Sequence, residues 1–220
     1  MAGSMNAVLV LIFELIGTVS FAVSGAITAL RCRMDVFGVV ILGVTTAVGG
    51  GVIRDVILGV NPPTMFSAPI YALVAIIVSL IVFIPWVHGL FIKNSKVTDI
   101  ILLIMDSIGL GVFTVAGIQA AMKLGTFGGE NDDMNVFLLL FVGVVTGVGG
   151  GVLRDVLAGN TPYIFVKHFY ACASLIGAGC TVALWYFFGE TPAVIAGAAV
   201  VVILRFLAAR FRWSLPKSDL

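Results

Sequence analysis

Apolar residues run along this chain in stretches too long for the core helices of a small soluble domain. A bilayer span needs ~20 mostly apolar residues. Seven segments meet that length, approximately 6–29, 37–59, 67–87, 98–121, 136–158, 167–188 and 191–209. Polar breaks separate them at RCRMD (31–35), NPPT (61–64), HGLFIKNSK (88–96), KLGTFGGENDDMN (123–135), NTP (160–162) and GETP (189–192). Barrel strands would alternate over ~10 residues, so the pattern predicts an all-α membrane protein with seven transmembrane helices. No linker or soluble domain interrupts it. MAGSM (1–5) reads as an expression remnant ahead of a native start at Met5. The first apolar run lacks a basic leader and a small-residue cleavage site, and reads as a retained helix.

The chain repeats itself. GVTTAVGGGVIRDVILGVNP (43–62) and GVVTGVGGGVLRDVLAGNTP (143–162) are identical at 13 of 20 positions, at an offset of 100. FELIGTVSFAVSG (13–25) resembles MDSIGLGVFTVAG (105–117) at an offset of 92, matching Glu14 to Asp106, Gly17 to Gly109 and Gly25 to Gly117. The eight extra residues of the second copy fall in the 123–135 loop. The repeat unit is therefore three helices, 6–87 and 98–188, with a seventh helix at 191–209 outside the repeat and a tail at 210–220. Three spans per unit force the copies into opposite orientations. Inverted repeats mark transporter-like and channel-like folds whose site lies at the repeat interface.

Composition agrees with a lipid environment. Hydrophobic residues make up 60% and charged residues 10% of the chain, against about 25% charge in soluble domains. The net charge of +1 offers no basic field for nucleic acid. Three cysteines (Cys32, Cys172, Cys180) in or near apolar segments read as packing residues. The two histidines (His88, His168) fall at segment ends, and no catalytic triad, zinc cluster or P-loop is present, so an enzyme is not expected. With seven spans, Arg31, Arg33, Lys93, Lys96, Lys167, Arg210, Arg212 and Lys217 share one side, and Lys123 stands opposite with Glu130, Asp132, Asp133 and Glu190. That bias predicts a cytoplasmic C-terminus and an outer N-terminus. Trp86, Trp185 and Trp213 sit near span ends, as an aromatic belt requires. The acidic loop 128–133 reads as solvated or as a cation-concentrating mouth. Lys93, Lys96, Arg210 and Arg212 read as anchors to membrane lipid.

Glycine triplets and Arg-Asp pairs in mid-span carry the chemistry. Each glycine weakens a helix by up to ~1 kcal/mol against alanine, so Gly49, Gly50, Gly51 and Gly149, Gly150, Gly151 predict a kink or unwound stretch whose carbonyls line a watery path. Close helix packing is the other reading, since Gly143, Gly147 and Gly151 are spaced at four. Arg54 and Asp55 are sequence neighbours and are not expected to face each other. Depth along the spans predicts the pairs Glu14–Arg54 and Asp106–Arg154 instead, and rejects Arg54–Asp155. Asp55 and Asp155 are then left over as acidic groups for cations, unless backbone donors hold them.

At these residues the chain resembles the bacterial branch of the trimeric intracellular cation (TRIC) channel family, which also carries the label glycine transporter. The twin GGGxxRD segments carry the resemblance, which covers roughly 6–209. It implies two inverted three-helix repeats plus a seventh helix, a homotrimer, and a pore within each protomer conducting monovalent cations, chiefly potassium. It further implies kinks at the glycines, with Gly49–Gly51, Arg54, Asp55, Gly149–Gly151, Arg154 and Asp155 as pore or gating residues. Animal members carry a lysine-containing motif where this chain has Arg54-Asp55. The combined expectation is an inner-membrane potassium channel in which ions shed water against glycine carbonyls and the hydroxyls of Thr45, Thr46 and Thr146. Asp55 and Asp155 set the sign of selectivity, Glu14 and Asp106 hold the arginines, and no cofactor is needed beyond permeating K⁺ or Na⁺. A transporter of a small solute such as glycine fits the same repeats, with arginine on the carboxylate and aspartate on the amine. A lipid-packed structural protein is a third reading.

Overall fold

A computed structural model describes residues 2–92, 95–124, 135–166 and 169–213, and the described residues are helices and short connections. The order is α1 (Ala2–Arg31), α2 (Val36–Ile57), α3 (Thr64–Ser67), α4 (Ile70–Phe83), α5 (Pro85–Ile92), α6 (Ser95–Leu124), α7 (Val136–Leu157), α8 (Tyr163–Val166), α9 (Tyr170–Phe188) and α10 (Glu190–Phe211). Six of these are long and apolar enough to cross a membrane, and α4 is a shorter apolar helix. The acidic loop 128–133, with Lys93, Lys167, His168 and Lys217, lies outside the described residues.

The expected third span is shorter than its apolar run. Fourteen residues of α4 rise about 21 Å, less than the ~30 Å hydrocarbon core. Ile84 leaves the helical region with ψ 131, because the residue ahead of a proline is driven toward extended backbone. Pro85 then opens α5, a position where its missing N–H costs nothing.

The other boundaries follow from capping chemistry. Asp35 accepts a hydrogen bond from Gly38 N at 2.8 Å, and Asn135 accepts one from Leu138 N at 3.0 Å, which closes the first turns of α2 and α7. Both helices end alike. Gly59 (φ 71) and Gly159 (φ 70) adopt left-handed backbone, while Val60 N and Asn160 N donate back to Asp55 O and Asp155 O at 2.8 Å. This is the Schellman ending, for which glycine is the natural residue.

Packing rests on small residues. A Cβ built on Gly25 would lie 2.5 Å from Thr46 Oγ1, and one on Gly117 would lie 2.6 Å from Thr146 Oγ1. The glycines matched by the sequence repeat thus seat equivalent helix pairs. Gly17 faces Val112 and Gly109 faces Phe21 where α1 meets α6. Such contacts replace the hydrophobic drive that lipid cannot supply between helices. The outside is apolar instead: Phe37, Trp86, Phe137, Phe165 and Phe187 are each at least 70% exposed, which in a soluble protein would be an aggregation surface.

Contacts at the two ends of the bundle fix which termini lie together. At one end Arg31 meets Asp99 at 2.7 Å, Cys32 Sγ lies 3.7 Å from Ala158 O, and Phe169 packs edge-on to Trp213 at 5.0 Å. At the other end Lys123 meets Glu190 at 3.1 Å, and Leu58 packs with Ile118 and Ala121.

Candidate functional site

The centre of the molecule is the crossing of α2 and α7. A Cβ on Gly50 would lie 2.3 Å from Thr146 O, and one on Gly150 would lie 2.2 Å from Thr46 O. Gly49 faces Leu153, and Gly149 faces Ile53. As residue numbers rise on one helix they fall on the other, so the two copies of the motif cross antiparallel. Both helices are continuous through their glycines. The expected unwound stretch is therefore absent: its carbonyls remain in the helical ladder, and Gly50 and Gly150 serve close approach. Thr46 and Thr146 are fully buried and donate to Leu42 O and Val142 O at 2.6 Å, within their own helices. Thr45 is half-buried beside Gly49.

On one side of the crossing lies a closed cluster. Arg154 is 1% exposed. Its Nη1 donates to Asp106 Oδ1 at 2.6 Å and to Ser24 Oγ at 2.5 Å, and its Nε donates to Asp155 Oδ1 at 2.8 Å. The guanidinium lies 4.9 Å from the centre of the Tyr163 ring. Asp155 Oδ2 accepts from Tyr163 N, the first residue of α8, at 2.9 Å. The Asp106–Arg154 pair is the one that depth along the helices predicts. Gly151 keeps room for this cluster, since a Cβ there would sit 3.1 Å from the Tyr170 hydroxyl.

The first copy builds the same arrangement with a different outcome. Arg54 Nε donates to Asp55 Oδ1 at 2.8 Å, and Asp55 Oδ2 accepts from Thr64 N, the first residue of α3, at 2.7 Å. Glu14 takes the place of Asp106 but accepts from the Tyr71 hydroxyl. Glu14, Arg54, Asp55 and Tyr71 line a cavity of about 50 Å³, enough for a few waters. Glu14 also borders a neighbouring cavity of about 80 Å³ with Gln119 and Glu190. Glu14 has no ion-pair partner among the described residues.

Two expectations are corrected here. Glu14 and Arg54 share a cavity without forming the predicted ion pair, because Tyr71 occupies Glu14 and Asp55 occupies Arg54. Asp55 and Asp155 are not left over: each binds the arginine beside it and a backbone amide. Spacing argues against contact at i and i+1, but the arginine stem is long enough for Nε to fold back onto the next carboxylate. Sequence reasoning also missed Ser24, Tyr71, Tyr163, Tyr170 and the buried Arg205, whose guanidinium lies 4.7 Å from the Tyr170 ring centre. For Tyr71 and Tyr170 a signal existed. Val60 is an insertion relative to the second copy, and shifting the alignment by one matches NPPTMF with NTPYIF and Tyr71 with Tyr170.

Comparison with known proteins places this architecture. A family model described as Glycine transporter matches residues 11–86 and 103–186. The inner membrane protein YadS of Escherichia coli (strain K12) is 35% identical over 206 residues, covering 92% of this chain and 93% of YadS. The membrane protein YvgT of Bacillus subtilis (strain 168) is 33% identical over 206 residues, covering 93% and 94%. A structure solved to explain conductance through TRIC cation channels superposes with TM-score 0.80 at 36% identity, over 95% of this chain and 97% of that one. The TRIC trimeric intracellular cation channel orthologue from Rhodobacter sphaeroides superposes with TM-score 0.81 at 32% identity, over 93% and 99%.

Proposed function

This chain belongs to the TRIC channel family, and from that membership we propose that it is a cation channel of the inner membrane, conducting potassium through a pore within each protomer of a homotrimer. α4 and α5 together complete a seventh crossing. The two three-helix units are then inverted repeats, with the C-terminus cytoplasmic on the side of Arg31, Arg210 and Arg212 and the N-terminus outside. The antiparallel crossing of α2 and α7, flanked at each end by one arginine and two carboxylates, is the observation that carries the reading. It gives a polar, net negative station on either side of a narrow waist, which suits cations.

The charge that favours cations is assigned differently from the simplest reading of the motif. Asp55 and Asp155 are neutralised by the arginines they hold. Glu14, bound by a neutral tyrosine and bordering two cavities, supplies the uncompensated carboxylate in the first cluster. In the arrangement described, Gly50 and Gly150 close the waist, so conduction requires α2 and α7 to separate there.

Purified protein in a planar bilayer under a KCl gradient tests the reading. Discrete steps reversing near the potassium potential are expected, and Glu14→Gln should lower unitary conductance and weaken cation preference. Anion-selective reversal would overturn the proposal. So would a silent bilayer with the same protein accumulating radiolabelled glycine in liposomes, the activity that the family model's description names.

A further inference from the structure

The largest cavity described lies outside both motif clusters but next to the Arg154 cluster, through the Tyr170 ring, at the end of the bundle that holds the α10 C-terminus. It is a cleft of about 390 Å³ between α6 and α10, bordered by Asp99, Ile100, Leu103, Arg205, Arg212 and Trp213. That volume falls within the ~300–1,000 Å³ of small-molecule sites. Arg205 forms its inner wall. It is 3% exposed, its guanidinium stacks on the Tyr170 ring, and its Nε has no hydrogen-bond partner among the described residues. The carboxylate in the cleft, Asp99, is held by Arg31 at 2.7 Å, and no ion pair is formed by Arg205 or Arg212 among the described residues. A buried guanidinium fixed by an aromatic face and short of an acceptor is a preformed half of an oxyanion site.

We propose that this cleft binds the phosphate of an anionic phospholipid. Arg205 stands six residues before the end of α10, roughly 9 Å inside it, which is headgroup depth. Arg212 and Trp213 close the cleft at its mouth, the position of a basic and aromatic interface belt. Ile100, 56% exposed, and Leu103 continue the cleft along α6 as an apolar track for an acyl chain. A free phosphate would have no use for that track. Basic pockets between helices on the cytoplasmic side are the usual form of headgroup sites. Lipid retention is read without reference to what the protein conducts.

Native mass spectrometry of the protein, released from micelles doped with phosphatidylglycerol or phosphatidylcholine, tests the proposal. Phosphatidylglycerol should be retained preferentially, and Arg205→Gln should weaken its retention about tenfold, the size of one charge-assisted hydrogen bond. Arg212→Asn, on an exposed residue whose left-handed backbone (φ 52) asparagine tolerates, should weaken it without disturbing the fold. Equal retention of both lipids, unchanged retention in both variants, or displacement of the lipid by millimolar inorganic phosphate would overturn it.

Discussion

Arg154 is the most constrained charged residue described. Buried at 1% exposure with two carboxylates and a serine hydroxyl, it would keep Asp155 but lose the second of its two charged partners in Asp106→Asn. Asparagine keeps an acceptor oxygen but removes the charge behind this contact, and a hydrogen bond between charged groups is worth about 1.5–3 kcal/mol. Asp106→Asn should therefore lower the melting temperature in detergent clearly more than Glu14→Gln, since Glu14 pairs with a tyrosine beside a cavity that water can enter. Equal shifts would mean that the two clusters are equally closed. Part of this was legible in the chain. Counting residues from the helix ends finds Asp106 opposite Arg154, because both lie at fixed depth in helices whose ends the polar breaks mark. The arginine's grip on its own neighbour was not legible, because spacing rules describe where side chains start and not how far a five-bond stem bends. Ser24 and Tyr170 reach the cluster through tertiary packing, for which no local pattern exists.

At the scale of elements, three consecutive glycines divide their work. A Cβ at Gly50 meets the backbone oxygen of Thr146 at 2.3 Å, whereas one at Gly51 meets nothing nearer than Arg54 Nη2 at 3.9 Å. Backbone cannot step aside as a side chain can, so Gly50→Ala should destabilise by about 1–3 kcal/mol, as overpacking does. Gly51→Ala should be neutral, or stabilising by up to ~1 kcal/mol from helix propensity. Thermal unfolding of the two variants in one detergent checks the contrast. Sequence alone offers both a kink and a packing face for these triplets, and the choice depends on α7 lying against α2. Element existence was legible because apolar runs and their breaks are local. The stop at Ile84 was also written in the sequence, as Pro85. The one-turn helices α3 and α8 were not, since what fixes their first residues is the carboxylate of Asp55 or Asp155.

Considered whole, the bundle assigns residues distant in sequence to the same end. Cys32, Asp99, Ala158, Phe169 and Trp213 gather at one end, and Lys123 and Glu190 at the other. In a Cys172→Ala/Cys180→Ala background, the exposed Cys32 should react with a membrane-impermeant maleimide in inverted inner-membrane vesicles and not in intact spheroplasts. Labelling from the outside would reverse the topology. The repeat and the uneven distribution of basic loops predict the orientation that this labelling decides, while the contacts that gather these residues at each end needed the structure. The pairing of Arg54 with Asp55, and of Arg154 with Asp155, bears on how such a chain enters a bilayer. An arginine at the centre of a span raises the free energy of insertion by about 2.5–3.5 kcal/mol, and Arg54 and Arg154, in the last turns of α2 and α7, carry a part of that cost. Here the counter-ion is the next residue of the same helix, so α2 and α7 each carry a neutralised pair before any neighbour is in place. Assembly with α1 and α6 then has only to shelter one further carboxylate per half, and neither motif helix waits on the other to become compatible with lipid.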